Sequence, residues 1–403
     1  MMKKFIICLM SMLLLCGCSA TIYEGSDNTD LTFDDSDMDA TYTDTVNLVL
    51  SDDDVYIDEE GTYTLSGEMN GSVIVDVGDD EEVQLVLDNV TINSGDFAAI
   101  YIVEADKVTI TLAEGSVNTL TDASAYTQID SNDVDAVIFS KADLTINGTG
   151  TLVINANYKN GIVSKDDLII IDGTYKITAV NQGITGKDCL MISDGNFDLN
   201  CGGDGLKSNN DEDEDRGYVY IKNGTFNIVS ADDAVQGVRS VTIDGGEFDI
   251  SAHEGIEGTH ITINDGNISI TASDDGINAA QKVTGIDPVF EMNGGSLTID
   301  MGQGDTDAID SNGYIYINGG TITINAQSAF DYDMGAELNG GTVIFNGTQI
   351  TEITNQFGGG AMGMTPGQMG GPSESGQPQM PGGQNNGTGP QNSGQPPFGS
   401  KRY

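Results

Sequence analysis

Through the middle of the chain, apolar and polar residues alternate in short runs, and each run stops at an Asn/Asp-Gly pair. Ile169-Ile170-Ile171-Asp172-Gly173 is answered by Ile192-Ser193-Asp194-Gly195, Ile221-Lys222-Asn223-Gly224 and Val241-Thr242-Ile243-Asp244-Gly245. The phrase returns at Ile261–Gly266, Met292–Gly294, Ile315–Gly319 and Leu338–Gly340. Its glycines are spaced 22, 29, 21, 21, 28, 25 and 21 residues apart. A base period near 21 with insertions marks a solenoid. Alternation within each run makes its units strands with one buried face.

Three strands per repeat fit this length. The first ends at the Asn/Asp-Gly turn, where glycine accepts a positive φ. The second carries inward pairs such as Phe226/Ile228, Phe248/Ile250, Ile268/Ile270 and Ile322/Ile324. The third is centred on a small residue and an aliphatic: Gly161-Ile162, Gly183-Ile184, Gly205-Leu206, Ala234-Val235, Gly255-Ile256, Gly276-Ile277, Ala308-Ile309 and Ala329-Phe330. Stacked repeats pair each strand in parallel with the next, about 4.8 Å away, and align the turn Asn and Asp side chains into ladders. The expected fold class is all-β: a single-stranded right-handed parallel β-helix with coils of about 21 residues. A leucine-rich repeat would need helices, and a propeller a period of about 40. Residues 46 to about 140 follow the pattern less regularly and are expected to form the first coils and a cap.

The flanks read differently. Met1–Lys4 are positive, Phe5–Leu15 are apolar but short for a membrane span, and Leu15-Cys16-Gly17-Cys18 resembles a bacterial lipobox. That motif implies a signal peptide at 1–17, cleavage after Gly17 and lipidation of Cys18, which tethers the mature chain to the outer face of the cell membrane. Residues 18–45 are expected to be an acidic spacer and 46–355 the β-helix. Residues 356–403, rich in Gly, Pro, Gln, Asn and Met, are expected to be a disordered tail. Of the mature cysteines, Cys201 should face the core and Cys189 should face out, so no disulfide is expected between them.

The chain carries 63 acidic residues against 15 Lys and Arg, a formal charge of -48. Such a polyanion disfavours nucleic acid and anionic membrane surfaces and favours divalent cations. The acids are ordered along the coils. The residue before the small-aliphatic pair is Asp204, Asp233, Glu254, Asp275 or Asp307 on five consecutive coils, with Asp232, Asp274 and Asp305 often preceding it. A second column runs Lys207, Gln236, Glu257, Asn278, Asp310 and Asp331. Carboxylates stacked at strand spacing repel unless counter-charge lies between them. Ca²⁺, with six to eight oxygen ligands and loose geometry, suits such a ladder. The candidate metal ligands are Asp204, Asp232, Asp233, Glu254, Glu257, Asp274, Asp275, Asp307 and Asp310. The acidic insertion Asp211–Asp215 lacks the glycine and terminal Glu of an EF-hand loop and reads as a solvated loop.

Catalytic motifs are sparse. His253 and His260 are the two histidines, and neither has zinc-ligand spacing. Lys207 and Arg239 are the basic residues nearest the acidic columns. A lyase would need one of them as base, yet surrounding carboxylates favour the charged form of Lys207, which suits a clamp for a sugar carboxylate. Tyr220 and Tyr316 share an outward column and complete the candidate carbohydrate contacts, together with Lys207 and Arg239. The chain has no Trp, the flat aromatic on which polysaccharide stacking usually rests.

Lipobox, acidic spacer, punctuated coils and Gly/Pro/Gln/Met tail together resemble a family of bacterial surface proteins described as carbohydrate-binding domain-containing, with a polysaccharide-lyase-like β-helix. The resemblance covers roughly residues 46 to 350 and rests on phrases such as Val241–Glu247, Ile315–Thr321 and Asp275-Gly276-Ile277. It implies binding of cellulose and of acidic sugars such as polygalacturonate, with bound Ca²⁺. The resulting expectation is a monomeric, lipid-anchored, non-catalytic module that holds an extracellular polysaccharide in a Ca²⁺-bearing groove. A Ca²⁺-dependent pectate-type lyase and a structural or adhesive scaffold are the alternatives.

Overall fold

The computed structural model describes residues 31–302 and 307–355. Over these it is almost wholly β: 34 strands and one short helix, Asp35–Met38. Nearly all strand pairs are parallel and join each strand to the equivalent strand of the next repeat, which makes a solenoid. The acidic and apolar columns expected from the repeat stack in register. Cys18, where lipidation is expected, Asp305 and residues 356–403 lie outside the described residues.

The alternation in sequence becomes alternation in burial. Strands Asn196–Cys201, Thr225–Ser230 and Asn267–Ala272 each bury every second residue. The core is a set of stacked rows. Tyr175, Phe197, Phe226 and Phe248 lie ring on ring at 4.7, 4.7 and 4.4 Å, within 8° of coplanar, and Ile268, Leu297 and Ile322 continue the row. The turn asparagines form the expected ladder: Asn293 donates to Asn264 at 2.9 Å, Asn318 to Asn293 at 2.9 Å and Asn339 to Asn318 at 3.0 Å.

The turn glycines divide the work in a way the motif did not reveal. Gly173, Gly195, Gly224 and Gly266 have positive φ, as expected. In the Gly-Gly turns it is the second glycine, Gly246, Gly295, Gly320 or Gly341, that takes it. The first is required for space: a Cβ on Gly319 or Gly340 would lie 2.2 Å from the carbonyl oxygen of Asn293 or Asn318 on the preceding coil. The same close approach explains the small residues of the third strand. A Cβ on Gly161, Gly183 or Gly205 would fall 2.5–2.6 Å from the next coil's carbonyl.

Two features depart from the sequence reading. Residues 31–45 do not stand off as a spacer. Asp37 is buried, accepting hydrogen bonds from Lys107 and from Thr145 at 2.7 Å, and Asn147 donates to the Asp37 and Asp39 carbonyls at 3.0 and 3.1 Å. Leu31 and Phe33 then pack on Cys189, Met191, Tyr218 and Tyr220. Cys189 does leave the coil interior, as expected, but this strap covers it, so it is buried. Cys201 lies in the main core, and both thiols are free. At the other end, strand Thr342–Phe345 turns through Asn346 and Gly347, both at positive φ, and pairs antiparallel with Thr348–Ile350. That hairpin partly covers the last open strand edge.

Candidate functional site

The third strands place the two acidic columns side by side. Pairing of Leu206 with Val235, Ile256 with Ile277 and Ile277 with Ile309 stacks Asp204, Asp233, Glu254, Asp275 and Asp307 on consecutive coils. The neighbouring column runs Thr185, Lys207, Gln236, Glu257, Asn278, Asp310 and Asp331. A strand directs residues i and i+2 to one face. The two columns are three residues apart, and the backbone bends between them where the buried small-aliphatic pair turns inward.

Asp233 is the centre of the site. It belongs to two groups whose carboxylate oxygens lie within 4.8 Å of one another: Asp204, Asp232 and Asp233, and Asp233, Glu254 and Glu257. Asp204, Asp233 and Glu257 are buried at 1, 3 and 3 % exposure, while Asp232 remains at the surface. Asp274 joins a separate, more exposed group with His253 and Glu254. Asp275, Asp307 and Asp310 are half-buried on the following coils and extend the columns without joining these groups.

Amides and two lysines hold the acids together. Gln236 Nε2 donates to Asp233 and, at 2.5 Å, to Glu257 Oε2. Asn278 Nδ2 donates to Glu254 Oε2 at 2.9 Å. Lys207 Nζ is paired with Asp204 Oδ2 at 2.5 Å, so it serves the ladder as counter-charge and does not stand free for a sugar. Lys282, from the insertion before Pro288, pairs with Glu257, and its backbone N–H bonds Thr259 Oγ1 at 3.0 Å. The sequence reading missed this lysine. Its only sequence signal was the long 28-residue spacing between Gly266 and Gly294.

This neutralisation is incomplete. Burial, reinforced by the Glu257, Asp204 and Glu254 carboxylates, raises Asp233 well above the usual carboxylate range. Burial also raises Glu254. It pushes Asp275 up to about 7, with Asp310 and Asp274 adding repulsion, and Asp310 to about 6, with Asp331 and Asp307 adding repulsion. Asn278 Oδ1 and Asp331 Oδ1 are buried acceptors with no hydrogen-bond partner among the described residues. Anionic oxygens, orphan carbonyl-type oxygens and raised carboxyls are the donor set of a hard cation. The residues present therefore fit Ca²⁺.

The other expected contacts fall elsewhere. Tyr220 is 5 % exposed, stacked on Phe33 at 5.9 Å with its hydroxyl donating to Asp244 at 2.7 Å. The strap removes it from any sugar platform. Tyr316 is half-buried beside Tyr314, rings 5.8 Å apart. It lies on the first-strand column, separated from Tyr220 by Thr242, Thr262 and Glu291, and not beside the acidic columns. Arg239 is half-buried at the bend after the third strand. A further acidic group, Asp143, Asp166 and Asp167, was not anticipated. Its members lie after the third strand on earlier coils, and Arg216 pairs with Asp167 at 2.7 Å.

The chain is similar to known proteins. A protein from Acetivibrio thermocellus described as a carbohydrate-binding domain-containing protein is 41% identical over 261 residues, 62% of this chain and 91% of that relative. A solved polysaccharide lyase-like protein from C. thermocellum, a gadolinium derivative, is 33% identical, with a TM-score of 0.49, over 64% of this chain and 97% of its own. The family profile described as carbohydrate-binding domain-containing protein matches residues 51–308, a span that takes in nearly all the coils and most of both acidic columns. On that match and the identity to the A. thermocellus relative, this chain belongs to the carbohydrate-binding domain-containing protein family.

Proposed function

We propose that the protein binds an acidic extracellular polysaccharide in a Ca²⁺-bearing groove along the third strands, without cleaving it. Family membership supports the glycan. The observation that carries the groove is Asp233, a buried carboxyl shared by two carboxylate groups that Lys207 and Lys282 only partly offset. Asp204, Asp232, Asp233, Glu254 and Glu257 would hold the ion, with Asn278 contributing a neutral oxygen. Bound Ca²⁺ would supply positive charge for a uronate carboxylate on a surface that otherwise repels it. The engagement of Lys207 with Asp204 supports a binding role over a lyase with that residue as base. In this reading the solenoid winds right-handed with coils near 21 residues. The chain is monomeric and is held by a lipid on Cys18 at the outer face of the cell membrane.

The test is retention of the full mature chain on polygalacturonate and on cellulose, with Ca²⁺ and with chelator, while following the ultraviolet absorbance of unsaturated uronate. Ca²⁺-dependent retention on polygalacturonate without new absorbance is expected. Growing absorbance would make the protein a lyase. Absence of retention on either polymer would leave a scaffold stiffened by Ca²⁺.

A further inference from the structure

The third-strand columns change chemistry towards the amino end. Behind Asp204 the first column continues as Gln182 and Asn160, and behind Lys207 the second continues as Thr185 and Val163. Just past these strands a lysine recurs. Ser140, Ser164 and Gly186 pair in register, and Lys141, Lys165 and Lys187 follow them. The N–H groups of Lys165 and Lys187 bond the Ser140 and Ser164 carbonyls at 2.8 and 3.0 Å, carrying the register onto the lysines. Three cationic side chains thus start about 4.8 Å apart on successive coils, in a chain with only 15 Lys and Arg.

Like charges at that spacing repel, and their surroundings relieve this only in part: Asp143, Asp166 and Asp167 gather into a group of their own beside the row, Arg216 pairs with Asp167, and Lys165 lies over the Phe139 ring at 5.1 Å. Neither Lys165 nor Lys187 has an ion-pair partner among the described residues. The neighbouring Asp188 turns to Arg216, 3.8 Å away. Lys159, close by, has one loose pair with Asp135 at 3.6 Å.

A cleft of about 440 Å³ opens here, with Lys159, Lys165, Lys187, Asn181, Gln182 and Thr185 among its walls. That volume lies within the range of ligand sites. Thr185 is 5 % exposed, and its Oγ1 has no hydrogen-bond partner among the described residues. A buried hydroxyl without a partner costs stability, and a ligand that reached it would recover the loss. The cleft, which Asp135 also lines, therefore combines two lysines outside any ion pair among the described residues, side-chain amides and an unmatched hydroxyl.

We infer that this cleft is a second glycan subsite, taking a sugar with an anionic substituent, either a carboxylate or a sulfate ester, without a metal ion. The lysines meet the anion as point charges. Asn181 and Gln182 offer both donors and acceptors for ring hydroxyls, and Thr185 offers its hydroxyl. Gln182 Nε2 lies 3.5 Å from Asp204 Oδ2, so a polymer laid along the third strands passes from the lysine cleft directly to the acidic groove. The overall charge of -48 does not forbid this, because salt confines exposed charges to about 8 Å at physiological ionic strength. The inference rests on glycan binding but not on Ca²⁺.

The experiment uses the full mature chain in chelator, at physiological and at high salt, with dextran sulfate, polygalacturonate and neutral dextran as probes. Wild type should bind at least one charged polymer at physiological salt, release it at high salt and ignore neutral dextran. The preferred polymer identifies sulfate or carboxylate. Lys165→Gln/Lys187→Gln should weaken binding about tenfold, the effect of two exposed charge contacts. Lys176→Gln, which changes an exposed lysine on a second strand, should change it less than twofold. Both variants should keep the wild-type melting temperature, since the replaced side chains are not core. Thr185→Val should weaken binding without altering its salt dependence. No binding in chelator, equal binding to neutral dextran, or a double variant that binds like wild type would overturn the inference. Failure of Ca²⁺-dependent retention alone would leave it standing and sink only the Ca²⁺ groove.

Discussion

Replacing Asp275 by Asn should make the metal-free protein more stable at high pH and less responsive to Ca²⁺. Asp275 is pushed up to about 7, first by burial and then by the charges of Asp310, Asp274 and Glu254, against the opposing hydrogen bond from the Asp307 N–H. That bond, 3.2 Å to Oδ1, survives in Asn, so the substitution removes charge and little else. In the unfolded chain the carboxyl titrates near 4. Between about pH 4 and pH 7 the native state therefore holds a proton that the unfolded state has lost, and stability falls as pH rises through this window. A rise of about three pKa units corresponds to about 4 kcal/mol. The group is half-buried, so solvent screening reduces this to about 2 kcal/mol. Thermal unfolding in chelator should then give Asp275→Asn a melting temperature roughly 4 °C above wild type at pH 8, with no difference at pH 4. Adding Ca²⁺ should raise wild type more than the variant, because a cation held at Glu254 would also offset the charge of ionised Asp275, which Glu254 and its neighbours repel. A variant that melts below wild type at pH 8 in chelator would refute the reasoning, since Asp275 would then be satisfied without a cation.

Other parts of the molecule make separate commitments. Asp37→Ala leaves Lys107 and Thr145 without their acceptor and should loosen the strap, so that Cys189 reacts with a thiol reagent at least tenfold faster while Cys201 stays inert; equal rates for Cys189 in variant and wild type would show that the strap is not held there. Phe226→Ala breaks the aromatic row between Phe197 and Phe248 and should cost about 3–5 kcal/mol, measured by denaturant unfolding, without changing the number of Ca²⁺ ions bound. Lys282→Ala removes a counter-charge from buried Glu257 and should lower the melting temperature in chelator but much less in saturating Ca²⁺, because the ion supplies the missing charge; an equal loss in both conditions would argue against cation binding at Glu257.

The columns were legible in sequence because a solenoid repeats the same local problem on every coil. Asp204, Asp233, Glu254, Asp275 and Asp307 occupy one place in the repeated phrase, and parallel pairing turns equal place into physical adjacency. The small residues before the aliphatics were visible for the same reason. What lay outside the repeat was not visible. Lys282 arrives on an insertion, and its pairing with Glu257 depends on how that insertion folds back. The strap of residues 31–45 looked like a spacer because it is acidic, and no local pattern shows that Asp37 will meet Lys107 across 70 positions. That contact decides the fate of Tyr220 and Cys189, which alternation correctly placed outside the coil and the strap then covered. The lysine row lies just past the small-aliphatic phrase, and only the parallel register of Ser140, Ser164 and Gly186 brings Lys141, Lys165 and Lys187 into line.

The most direct test is calorimetric titration of Ca²⁺ into the wild-type chain and into Asp233→Asn/Glu257→Gln, each then titrated with polygalacturonate at saturating Ca²⁺. The groove requires that the double variant lose at least one Ca²⁺ and, with it, the Ca²⁺-dependent part of polysaccharide affinity, while remaining folded because buried charge has been removed from the ladder. Unchanged Ca²⁺ stoichiometry and polysaccharide affinity in the double variant would contradict the claim that Asp233 and its neighbours form the binding groove.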